Sequence, residues 1–177
     1  MPITLDLSAE QHERLTAHLQ DNDAEVEQVA FAFCDIEETP ANLRFAAKEL
    51  YLVPSNDLDV QESYHISLTD DGLARIIKSA WDKRLALAEF HSHLDFGFRT
   101  RFSPSDIYGL NEFVPHVRWR LKGMPYVAIV LGTSEFDALA WRSPLPERLD
   151  SLLVDGVSLI PTNLTIDALE QEMYLDA

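Results

Sequence analysis

The sequence predicts a mixed α/β (α+β) fold, a central mixed β-sheet flanked by helices. Three observations carry this prediction. Strand-like apolar runs and segments of helical periodicity are interleaved along the chain. Several strand-like runs are direct neighbours joined by short connectors rich in turn formers, which fits a mixed rather than a purely alternating arrangement. Helix starts at Ser8, Thr69 and Ser103 carry capping residues.

Ile3 to Leu7 alternates apolar and polar residues, the pattern of a short strand. Ser8-Ala-Glu-Gln11 has the Ser-x-x-Gln spacing of a capping box, and Leu15 and Leu19 stand four apart behind it, so a helix is expected over roughly 8 to 21. Val26 to Ile36 and Leu43 to Val53 are apolar, aromatic-rich runs whose connector holds Pro40 and Asn42, which reads as two strands and a loop. Val60 to Leu68 is expected to form another strand. Thr69 followed by Asp70 and Asp71 starts a helix, with acids facing the positive dipole end, and Leu73, Ile76, Ile77, Ala80 and Trp81 continue it at helical spacing.

Leu85 to His93 is a buried-type strand, and Ser103-Pro104 opens a further helix because proline suits the first helical position. Tyr126 to Leu131 and Phe136 to Arg142 form a strand pair turning at Gly132. Leu152 to Ile160 holds Asp155-Gly156 between apolar runs, a hairpin signal, and Ile166 to Leu175 closes the chain as a helix. No internal repeat or Ser/Gly-rich linker interrupts the sequence, and a single domain over 1–177 is expected.

The chain's 177 residues, 46% of them hydrophobic, can bury about two-thirds of the unfolded surface without a disulfide or structural metal. They are too few for a (β/α)₈ barrel of roughly 250 residues. Fourteen Lys and Arg stand against thirty Asp and Glu, for a net charge of -16 and a pI near 4.5. Phosphate backbones and anionic lipid surfaces repel such a chain unless it carries a local basic face. Neither nucleic acid nor membrane is therefore an expected partner; a basic or mixed protein is. The single cysteine, Cys34, forms no intramolecular disulfide, the N-terminus lacks the features of a secretory signal, and no apolar run is long enough to span a bilayer. A cytosolic protein is expected, with Cys34 a buried structural thiol.

The informative segment runs from Glu89 to Asp106. Residues two apart on a strand face the same side, so His91 and His93 at a strand end can aim both imidazoles at one metal ion. Asp106, on the first turn of the helix begun at Ser103, can add a carboxylate from another direction. Two histidines and a carboxylate leave a fourth tetrahedral position for water, as in catalytic zinc sites. Each piece alone has a plainer reading: His-x-His in a packed strand, and Ser103-Pro-Ser-Asp106 as a helix N-cap with Asp at N3. It is their combination that is rare.

That combination resembles the JAMM/MPN-plus (JAB-type) zinc metalloprotease family, whose pattern is an upstream Glu, then His-x-His, about seven residues, and Ser-x-x-Asp. His91-Ser-His93 and Ser103-Pro-Ser-Asp106 match it residue for residue, and the order of elements is similar over roughly 8 to 145. The resemblance implies the cytidine-deaminase-like architecture of JAB/MPN domains, with zinc on His91, His93 and Asp106. It further implies Ser103 as the residue that positions water or stabilises the oxyanion, and Glu27 as the general acid/base. Glu25, on the same strand face, competes with Glu27, and Glu89 is a weaker competitor with a plainer reading as a supporting carboxylate. The sequence departs from the family pattern in its nine-residue loop between His93 and Ser103, in Leu94 where proline is common, and in the absence of glycine after Glu27.

The activity implied is that of a deubiquitinase-like isopeptidase: removal or maturation of a ubiquitin-like protein, with E1- and E2-like proteins as further partners, as in bacterial antiphage conjugation systems. Hydrolysis of a sulfur-carrier adduct or small amide is the second reading, and a non-catalytic MPN-type module, which normally lacks the ligands, the third. A metallo-β-lactamase-type reading of His91-Ser-His93-Leu-Asp95 fails because only His116 remains downstream as a further histidine, and a cupin needs a nearly all-β chain. His12, His18 and His65 read as surface residues. Arg99 and Arg101 with Phe96, Phe98 and Phe102 form a basic, aromatic island that reads equally as cover for the core edge or as a docking surface.

Overall fold

A computed structural model describes residues 1–21, 26–61, 66–94 and 99–175. The elements in chain order are β1 (Ile3–Leu7), α1 (Ala9–Leu19), β2 (Val29–Glu38), β3 (Leu43–Leu52), a 3-10 turn (Ser55–Asp57), β4 (Leu58–Gln61), β5 (Ile66–Leu68), α2 (Asp70–Lys83), β6 (Ala86–Ser92), α3 (Pro104–Arg120), β7 (Tyr126–Leu131), β8 (Phe136–Trp141), β9 (Glu147–Arg148), β10 (Ser151–Val154), β11 (Val157–Leu159) and α4 (Leu164–Leu175). The fold is therefore mixed α+β, as the sequence predicts. Two expectations change. The strand expected over Val60 to Leu68 is two short antiparallel strands, β4 and β5, with 62–65 (and so His65) outside the described residues. The two-residue β9 is too short to leave a periodicity.

Nine strands form one sheet in the order β11-β10-β1-β3-β2-β6-β7-β8-β9. Its outer neighbours in the chain, β9 and β10, are separated only by Leu149 and Asp150. A link of that length spans roughly 10 Å, so the sheet has to curl until its two ends approach. Asp150 closes this seam: its N–H donates to the Ile3 carbonyl at 2.8 Å, and its carboxylate accepts from the Ile3 N–H at 2.7 Å.

The alternation of side chains splits the interior into two clusters. On the concave face Ala30, Ala32, Ala86, Ala88, Ala138 and Ala140 are buried with Leu5, Phe45 and Phe90 under Leu15 and Leu19 of α1. Alanines on this face leave room for the curl and for α1, which plugs it. On the other face Phe31, Phe33, Leu87, Tyr126, Ala128 and Trp141 pack against α2, α3 and Ile166 of α4. Arg148 of β9 pairs at 2.6 Å with both Asp167 and Glu170, fastening α4 to the sheet edge.

The local signals act where the sequence places them. Ser8 and Gln11 form the capping box of α1, and Ser103 and Asp106 form that of α3. Asp155 and Gly156 take positive φ, 46° and 82°, and turn β10 into β11. Cys34 is fully buried. His18 is not the surface residue expected: it is half-buried, with Nε2 2.8 Å from the Val29 carbonyl at the start of β2.

Candidate metal centre

The site forms where β6 ends beside the first turn of α3. Val29 of β2 lies opposite His91 of β6, and this antiparallel register carried outward sets Gln28 against Ser92 and Glu27 against His93. Ser92 holds that extension in place. Its N–H donates to the Gln28 carbonyl at 3.0 Å, and its hydroxyl accepts from the Gln28 N–H at 2.9 Å. Glu27 is thereby 4% exposed, with Oε1 3.9 Å from His93 Nε2. Glu25, its rival on sequence grounds, lies outside the described residues.

His91 is buried and points to the α3 face, its Nε2 3.5 Å from Asp106 Oδ1; His93 Nε2 lies 3.0 Å from Asp106 Oδ2. The two rings meet edge-on at 5.1 Å, and Phe102 packs edge-on against His91 at 5.7 Å. Asp106 is held from its own helix, accepting the Ser103 N–H at 2.6 Å while its N–H donates to the Ser103 hydroxyl at 3.1 Å. The Ser103 hydroxyl is thus engaged as the helix cap, beside the cluster.

One donor atom from each of His91, His93 and Asp106 lies within 4.8 Å of the others. Donors around a tetrahedral first-row ion stand roughly 3.3 Å apart, so small side-chain rotations close this set on a cation. The His91 Nε2 atom favours one: it is buried and has no hydrogen-bond partner among the described residues, an unmet demand that a metal ion satisfies. The residues present fit a divalent ion held by two nitrogens and one oxygen.

Charge is balanced within the cluster. Burial opposes ionisation of Asp106, but the His91 and His93 rings outweigh it and hold the carboxyl well below its usual range. Burial lowers His91, and the Asp106 carboxylate more than compensates, so the imidazole gains basicity. Burial pushes Glu27 up to about 7, with both imidazoles pulling it down and Asp106 pushing it further up. A carboxyl balanced near neutrality is able both to accept and to return a proton.

Two supports flank the cluster, and the sequence pointed only to the first, Glu89, as a supporting carboxylate. Glu89 stands at the Nδ1 edge of His91 and lines the same cavity as His91 and Asp106, with Oε1 3.9 Å from Nδ1 and Oε2 accepting the Tyr126 hydroxyl at 2.5 Å. At that distance the Glu89 carboxyl acts on the His91 ring through charge rather than a hydrogen bond. The segment before Ser103 is the second support. The Thr100 N–H donates to Glu135 at 2.9 Å, and the Phe102 N–H donates to Thr165 Oγ1 at 3.0 Å, whose own hydroxyl donates to the buried Asp137 at 2.6 Å. Of the basic, aromatic island, Phe102 is buried, Arg99 is paired with Glu135 and Arg101 is exposed. Phe96 and Phe98 lie outside the described residues, and the described part acts as core cover and anchor.

A cavity of about 280 Å³ opens beside the cluster, lined by Phe31, Leu68, Leu73, Leu110 and Phe113, with Glu89, His91 and Asp106 at one side. Among the described residues no helix is long and apolar enough to cross a membrane. No family model matches the chain, and no curated protein matches it.

Proposed function

We propose that the chain is a zinc-dependent amide hydrolase of the JAMM type that acts on the C-terminus of a ubiquitin-like protein, freeing it from a conjugate or maturing it. The observation that carries this reading is the convergence of His91, His93 and Asp106 with Glu27 buried beside them. Two imidazoles and one carboxylate are the donor set of catalytic zinc, with a coordination position left over. A zinc ion bound there would polarise the scissile carbonyl and bring the acidity of a bound water near neutrality.

The chain's own residues supply the proton movements. Glu27 accepts a proton from the attacking water and delivers it to the leaving amine, the two-way transfer that its ionisation near 7 suits. Glu89, held by the Tyr126 hydroxyl, sets negative charge beside His91. Ser103 holds Asp106 in place through the helix cap, where its hydroxyl only accepts, so its O–H remains able to donate to the water or the oxyanion. The extended tail of a modifier would pair along the open edge of the β4–β5 strands, which border the cavity through Ser67 and Leu68. In the cytosol, with E1- and E2-like partners, such an enzyme would reverse or prepare conjugation, including in an antiphage system.

The apolar cavity favours a second reading, hydrolysis of a small amide or sulfur-carrier adduct, because its Phe31, Leu73 and Phe113 lining suits a small apolar acyl group. One experiment separates them. The purified protein is loaded with zinc and offered a ubiquitin-like protein bearing a C-terminal fluorogenic amide, and separately small acyl amides with apolar side chains. Chelator-sensitive release from the protein substrate supports the first reading, and release from the small amides alone supports the second. No release from either, or no zinc taken up, overturns the hydrolase.

A further inference from the structure

The far end of α3 carries a surface of opposite chemistry. Trp119 is 74% exposed and Trp81 46% exposed. A groove of about 700 Å³ lies between them, lined by Lys78, Arg120 and Lys122 together with apolar atoms of α2. Beyond Trp119 a second groove, of about 440 Å³, runs past Pro115, Arg118 and Trp141. The exposed indole is thus a ridge between two hollows. Among the described residues neither hollow is lined by a carboxylate, in a chain with thirty of them.

The cations differ in availability. Arg118 is consumed by backbone carbonyls, including Ser143 at 2.6 Å and Met124 at 3.2 Å, and braces the turn after the helix. Lys78 pairs with Asp82. Arg120 and Lys122 form no ion pair among the described residues; they lie over the rings of Trp119 and Trp81, at 5.9 and 4.9 Å. Lys122 is set by the backbone itself, with φ 55° in the turn where the Gly123 N–H donates to the Arg118 carbonyl at 2.7 Å. Cations at a helix C-terminus complement its dipole. That accounts for the basic residues here but not for two indoles left in water, each topped by a cation.

We infer that this surface docks a short acidic segment of another protein, its carboxylates on Arg120 and Lys122 and an apolar side chain against Trp119. Charge complementarity selects this occupant. A protein of net charge -16 repels a phosphate chain that runs past the patch, because surface charge acts over about 8 Å at physiological salt. A segment only as long as the two hollows keeps its carboxylates over the cations. Trp and Arg are also the residues that most often anchor protein interfaces. Arg120 lies about 21 Å along α3 from Asp106, so the inference stands whether or not the metal-site reading does.

All three tryptophans of the chain, Trp81, Trp119 and Trp141, line these hollows, so intrinsic fluorescence of the full-length protein reports on the surface directly. The probes are a short peptide alternating Glu with Leu, the same peptide with Gln for Glu, and an oligothymidylate of matching length. The Glu peptide is expected to shift the emission saturably and to bind more weakly as salt rises. The Gln peptide should bind at least roughly tenfold more weakly, and Arg120→Glu with Lys122→Glu should cost the Glu peptide a similar factor while circular dichroism stays unchanged. The inference is overturned by no saturable shift, by equal binding of the Gln peptide, or by tighter binding of the oligothymidylate. A concentration-dependent dimer in sedimentation that the double substitution dissolves would equally overturn it, since the occupant would then be a second copy.

Discussion

At its first turn α3 presents Asp106 to two imidazoles and a buried glutamate; at its last it presents Trp119, Arg120 and, one residue past the helix stop, Lys122. The first end is mostly withdrawn from water, and its polar atoms face one another, with His91 Nε2 buried and without a hydrogen-bond partner among the described residues. The second end is hydrated, and its cations rest on ring faces. Buried networks fail when one member is removed, because the remaining groups are left desolvated and unpaired. Exposed groups are individually replaceable and matter for what they attract. On the proposed readings the first end serves chemistry and the second recognition, and substitutions at either should leave the other untouched.

Asp106→Ala is expected to have the largest effect. It removes a ligand and the capping box together, so zinc content by elemental analysis should fall to background and hydrolysis should vanish, with about 1 kcal/mol of helix stability also lost. The peptide titration should be unchanged; a parallel loss there would break the separation between the two ends. Glu27→Gln should keep zinc, because no ligand is touched, while turnover under saturating substrate falls by roughly 10²- to 10⁴-fold. Intact turnover would move the proton-transfer role to another carboxyl.

Tyr126→Phe sharpens the comparison, because Tyr126 lies beneath both ends. Its hydroxyl serves Glu89, while its ring packs edge-on against Phe113 and Trp141, each at 6.1 Å. Loss of the hydroxyl alone should weaken zinc affinity by roughly tenfold in a chelator competition and leave tryptophan emission as it was. The smallest effect belongs to Cys34 on the opposite face of the sheet. Burial raises its thiol, with Asp35 adding to the rise, so the reactive thiolate is scarce in the native protein. Iodoacetamide at pH 8 should label it only after denaturant is added, and labelling of the native protein would show that the concave core opens.

The caps, the Asp155-Gly156 turn and the ligand triad were legible because each is encoded within a few residues. Ser103 and Asp106 form a capping box, and Asp106 also joins the His91–His93 group that could hold a metal ion; the sequence displays both. That Glu27 stands beside His93 was not decided by sequence, since its placement rests on the β2–β6 register between strands some sixty positions apart. Tyr126 gave no signal: an aromatic in an apolar strand reads as core, and only the neighbouring strand shows that its hydroxyl meets Glu89. The same limit hid the exposed tryptophans. An aromatic, basic island was visible around Phe96 to Phe102, whereas the exposed one is assembled from α2 and the end of α3, whose residues are interspersed with acids and apolar positions in the chain.

Sequence by itself determined the elements, their caps and turns, and which side chains share a strand face, because those follow from steric and hydrogen-bonding rules acting over a few residues. Tertiary structure decided which carboxylate stands opposite His93, what backs His91, and where the cations of an acidic chain gather. Those outcomes depend on strand register and helix packing, whose contacts join distant positions and take hold together only when the sheet curls and closes.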